Sequence, residues 1–228
     1  MKPQQRRNAM AAAAALSALC AVPGISHALT ESEPLSMVYE QAPEPVQRPN
    51  GPPVESLRVA PGCMLYLPKI EDIRSNKANA GNLTLMMPTV HATPRSMQSL
   101  RSGDAGVWTR DALLSAKRYG FGAVAGAPAS PDAARQVTAE VALRLAHAWS
   151  AGLNLVSHVV LVVRYRLPGG EAVSRQYHGM GTRTNWASGN GEFMAVLNLG
   201  LEEAVRGMST DAAALCEGRP PPASAAAQ

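Results

Sequence analysis

Aromatic residues make up only 4% of this 228-residue chain, and charged residues only 17%. Any core must therefore be aliphatic, and the 46% hydrophobic content is enough to close one good-sized domain and to exclude disorder of the whole chain. Long apolar runs are missing as well. The longest, Met10 to Val22, counts 13 residues, against the roughly 20 that span a bilayer. Charge of one sign is scarce: of the formal net charge of +4, three charges belong to Lys2, Arg6 and Arg7, and the remaining chain holds 18 basic against 17 acidic residues. That near-balance removes the electrostatic case for a nucleic-acid partner. What the chain has in quantity is glycine (19) and proline (18), which argues for many turns and against a coiled coil or helical bundle.

Residues 1–28 have the three parts of a secretory signal. Basic Lys2, Arg6 and Arg7 precede the apolar stretch, and helix-breaking Pro23-Gly24 precedes Ser26-His27-Ala28, where small residues favour cleavage after Ala28. The expectation is an exported, periplasmic protein beginning at Leu29. Arg6-Arg7 leaves a twin-arginine route open beside ordinary unfolded export. Membrane association is expected only if Cys20 is lipidated, and Leu19 before it is larger than that chemistry prefers. Two cysteines then remain, Cys63 and Cys216. An oxidising compartment invites a bridge between them, while two separate buried thiols are the alternative.

Residues 29–56, with Pro34, Pro43, Pro45, Pro49, Pro52 and Pro53, read as an extended disordered tether, and 218–228 as a disordered tail. Between them, 57–217 reads as a single α+β domain: a mixed, largely antiparallel sheet, a β-meander, backed by two helices, the last one C-terminal. Cys63 to Leu67, stopped by Pro68, predicts the first strand. Leu83 to Met87 predicts a short one, Val107 to Tyr119 a helix stopped by Gly120, and Phe121 to Ala125 a small buried strand. From Val137 to Trp149 the alternation favours a strand over a helix, and the valine-rich run Leu155 to Leu167 is a strand. A hairpin about Leu153 pairs Leu145 with Leu161, Leu143 with Val163, Val141 with Tyr165 and Glu140 with Arg166. A third strand covers Ala172 to Gly179. The last helix carries the stripe Phe193, Val196, Leu197, Gly200, Leu201, Ala204, Val205 and Met208, with Asn190 or Ser188 as cap.

Few residues carry chemistry. Gly120 to Gly126 has the wrong spacing and context for a dinucleotide loop, which would need a strand before it and a helix after. In the hairpin register above, His147 falls on the apolar face and His158 and His178 on the other, so no metal site is expected. No nucleophile elbow is present. The expectations are accordingly no catalytic residues, no metal and no cofactor. Asp72 and Arg74 are expected to pair and shape the loop after the first strand. The glycine-rich stretch Gly179 to Gly191 is the most unusual, and Arg183, Asn185 and Trp186 within it are the candidate binding residues; the structural alternative gives its glycines to turns and Trp186 to covering the sheet.

Leu65-Tyr66-Leu67-Pro68, with Glu71-Asp72-Ile73-Arg74 and Gly81, resembles the opening strand and loop of periplasmic proteins built like the TolB amino-terminal domain. Gly191-Glu192-Phe193, with Leu197-Asn198-Leu199 and Leu201-Glu202, is similar to the last helix of YajG-like envelope lipoproteins. The resemblance implies a mixed sheet with two helices, an envelope location and a non-catalytic role. The expected function is thus an accessory or partner-binding protein acting on an unknown envelope protein; a small-ligand carrier and a secreted hydrolase are the alternatives.

Overall fold

A computed structural model describes residues 34–41, 59, 61–85, 96–130, 135–166, 171–186 and 189–220. The segment read as a leader (1–28), most of the stretch read as a tether (29–56) and the residues from 221 onward lie outside the described residues. The order of elements is β1 (Met64–Asp72), β2 (Asn79–Leu85), β3 (Ser96–Arg101), α1 (Ala105–Leu114), a 3-10 turn (Ser115–Tyr119), β4 (Gly122–Ala125), β5 (Gln136–Ala151), β6 (Asn154–Arg166), β7 (Ala172–Thr184) and α2 (Asn190–Cys216).

The fold is α+β, with a mixed sheet of seven strands. β5, β6 and β7 form the antiparallel meander. The sheet is less antiparallel than its sequence implies, because β1 lies parallel to both β4 and β5, and β2 parallel to the end of β5. Alternation within one strand carries no information about the direction of its neighbour. Pro68 does not end β1: the β1–β5 register shifts between Tyr66 and Lys69, and the proline, which has no N–H to give the ladder, occupies that irregularity.

Asp104 caps α1, its carboxylate accepting the Val107 N–H at 3.0 Å. The helix tightens into the 3-10 turn and stops at Gly120, whose φ of 94° is left-handed. At α2 the cap is Gly189 rather than Asn190, and Ser188 lies outside the described residues. The Glu192 carboxylate reaches back to accept the N–H groups of Gly189 (3.3 Å) and Trp186 (3.0 Å), satisfying donors that a helix start leaves free.

Both helices pack on one face of the sheet. Trp108 of α1, fully buried, donates its indole N–H to Asn198 of α2 at 2.7 Å. Cys63, just before β1, is disulfide-bonded to Cys216, the last residue of α2, with Cα atoms 6.1 Å apart. The stretch read as a tether is tied down at residues 34–41. Leu35, 1% exposed, gives its N–H to the Arg101 carbonyl, and the Tyr39 hydroxyl donates to Glu202 at 2.5 Å. Leu35 and Met37 supply the apolar burial that a proline-rich composition conceals.

β7 runs five residues beyond the expected Gly179, so Gly179 and Gly181 belong to a strand and serve close packing rather than turns. A Cβ on Gly179 would overlap the Gly200 carbonyl, and one on Gly181 the Val196 carbonyl. The buried Ser157 hydroxyl fills the same seam, donating to the Val196 carbonyl at 2.6 Å. Gly179→Ala is expected to cost about 1–3 kcal/mol in urea unfolding, because backbone and not a yielding side chain blocks the new methyl. Gly191→Ala, facing open space, is expected to stay within about 0.5 kcal/mol; equal losses in the two variants would overturn the packing account.

Candidate functional site

The β5–β6 hairpin turns at Gly152-Leu153 and pairs Leu143 with Leu161 and Val141 with Val163, two residues away from the expected register. The Glu140–Arg166 ion pair still forms, at 3.0 Å, as a diagonal contact. Between Leu143 and Leu145 the register shifts, leaving Arg144 as an extra residue. Such a bulge exchanges the two faces of a strand beyond it. Ala146 and Ala148 therefore take the buried side, and Leu145, His147 and Trp149 turn to the face away from the helices.

This overturns the separation of the histidines read from the sequence. His147 now stands directly opposite His158, and Met180 is opposite His158 on the other flank. His178 Nε2 lies 2.7 Å from His158 Nδ1. Trp149 stacks at a tilt on both sides, 5.9 Å from the His147 ring centroid and 5.1 Å from that of His158. Burial, and then the neighbouring imidazole, holds both His147 and His158 below the usual imidazole range. Met180 is 42% exposed and Leu145 39%, so rings and apolar groups share an open surface. Among the described residues no group of three or more His, Cys, Asp or Glu is arranged to hold a metal ion. The signal that could have revealed the bulge is weak: small apolar Ala146 and Ala148 sit at even positions after a run of odd ones.

The three candidate binding residues are neighbours at the end of β7. Arg183 and Trp186 are exposed, Trp186 at 83%, and Asn185 is half-buried with its N–H bonded to the Leu153 carbonyl at 2.8 Å. Trp186 does not cover the sheet. Only its backbone is held, by Glu192.

Asp72 and Arg74 form a bidentate pair, with Nε to Oδ1 at 2.9 Å and the terminal nitrogen to Oδ2 at 2.8 Å. Arg74, 6% exposed, also donates to the carbonyls of Lys77 and Asn79 and to the Ser102 hydroxyl, fastening the β1–β2 loop to the end of β3. Burial raises the Asp72 pKa, but the hydrogen bonds and charge of Arg74 outweigh it and hold the carboxyl below its usual range. A second polar cluster escaped the sequence reading. The Tyr165 and Tyr177 hydroxyls meet at 2.7 Å, and Tyr177 donates to Asp211 at 2.5 Å beneath α2. Burial pushes both phenols well above their ordinary range, so they stay neutral and serve as hydrogen-bonding links.

No family model and no curated protein matches the chain. Similar solved structures include a DUF330 protein from Xanthomonas campestris, 14% identical, covering 71% of this chain and 94% of that one with a TM-score of 0.47. A putative lipoprotein from Caulobacter crescentus, 17% identical, covers 52% and 87% with a TM-score of 0.37. A PelC dodecamer from Paraburkholderia phytofirmans, 16% identical, covers 67% and 93% with a TM-score of 0.31.

Proposed function

We propose that the chain is an exported, non-catalytic protein of the cell envelope that works by binding another envelope protein. The observation that carries the reading is the Cys63–Cys216 disulfide, which joins the first and last elements of the domain. Such structural bonds persist in oxidising compartments and are rare where thiol buffers operate. The three-part leader points the same way. On the binding side, Trp186 and Arg183 present exposed side chains beside a capped helix, and Trp and Arg are the residues most often found at the centres of interfaces.

Two measurements test the reading. Protein recovered from the envelope is expected to begin at Leu29 and to show no thiol reactivity at Cys63 or Cys216 before reduction; an intact Met1 terminus on that pool would sink the export claim. In a pull-down from envelope extract, Trp186→Ala or Arg183→Ala is expected to weaken capture by about 2 kcal/mol, roughly thirtyfold, with stability unchanged within about 0.5 kcal/mol. Capture that is indifferent to both substitutions removes this surface from the function.

A further inference from the structure

We propose that His158 and His178 form a binding site for divalent copper on the open face of the meander, beside Met180 and Trp149. Their facing nitrogens, His158 Nδ1 and His178 Nε2, are 2.7 Å apart. Two nitrogens bound to one ion at right angles, each about 2 Å from it, lie about 2.8 Å apart, so the separation already suits the ion and the rings need only turn until both lone pairs meet at one point beside the line between them. One hydrogen currently lies between these nitrogens. Moving it to the far nitrogen of the same ring leaves both rings neutral and both lone pairs directed inward, and no proton need be released.

The surroundings favour the ion. Met180, directly opposite His158 and 42% exposed, has a thioether on the same face, placed to make no more than a weak axial contact to the cupric ion. The two histidines come from adjacent strands of a continuous antiparallel pair, so the backbone fixes their separation before any ion arrives. Nitrogen donors with open positions left to water favour copper over zinc and nickel in the ordinary order of divalent affinities. His147, opposite His158 on the other strand, flanks the site and is not assigned as a ligand.

Trp149 supplies the readout, since its ring lies 5.1 Å from that of His158 and bound cupric ion quenches nearby indole emission. Untagged full chain is titrated with copper(II) chloride, followed by fluorescence and by calorimetry. A single saturable equivalent is expected, with zinc binding at least about tenfold more weakly. His178→Gln, at an exposed position, and the His158→Ala/His178→Ala double variant should each lower the affinity by about 10- to 100-fold with thermal unfolding unchanged. His147→Ala should leave affinity near that of the unaltered chain, and Trp149→Phe should lose the quenching but keep the calorimetric binding. Uptake that survives in the double variant, or the absence of a saturable site in the unaltered chain, overturns the proposal.

Discussion

Replacing Cys63 and Cys216 with alanine is expected to lower the stability of the domain by up to about 5 kcal/mol. The bond closes a loop across a sequence separation of 153, and its chief action is to remove loop entropy from the unfolded chain, by an amount that grows slowly with loop length. Native distortion and residual denatured structure reduce that figure. The measurement is urea unfolding of oxidised, reduced and substituted protein at one pH. Reduced and substituted chains should unfold at the same lowered midpoint, and a midpoint unmoved by reduction would show that the bond constrains nothing. Because a folded domain has a typical margin of only about 5–15 kcal/mol, the reduced form should sit near its threshold at 37 °C.

Asp72→Ala is expected to cost about 3–5 kcal/mol, since it leaves the buried Arg74 guanidinium without its counter-ion. The nearby Lys69–Glu71 pair, at 3.0 Å but half-exposed, provides the contrast: Glu71→Ala should cost less than about 1 kcal/mol. The Asp72 carboxyl has a folded pKa below its unfolded value, so its contribution is complete above the ordinary carboxylate pKa and is lost as pH falls through the depressed one. The unaltered protein should thus lose stability on acidification over that window, and Asp72→Asn should lose less of it there. Parallel acid profiles for the two would contradict the pairing as the source of the shift.

The elements whose signal is internal to one segment were legible in the sequence. The valines of β6 and the apolar stripe of α2 each specify a strand or helix by their own periodicity. Three features were hidden because they depend on a neighbour. The parallel direction of β1 is decided by where the chain crosses over, which Leu65 and Leu67 cannot report. The glycines of β7 looked like turn residues because the carbonyls of Val196 and Gly200, which exclude a side chain there, arrive from an element later in sequence. The candidate site suffered most. A single extra residue at Arg144 sends His147 to the face opposite the one that uninterrupted alternation assigns, and with it the whole histidine arrangement. Arg183, Asn185 and Trp186 were singled out by composition alone, and the structure puts them side by side at the end of β7 with Arg183 and Trp186 exposed.

One contact on β7 bears on how these molecules behave toward one another. Among the described residues β7 pairs only with β6, so a thirteen-residue strand presents its other side unpaired. Unpaired strand borders are templates onto which a further chain can hydrogen-bond. Glu203, projecting from α2, takes the Met180 N–H at 2.7 Å and lays a carboxylate across the middle of that border. An incoming strand would have to displace this charge and leave it without water. The contact thus takes up a donor that an added strand would use and sets a negative charge against edge-to-edge addition of a second copy.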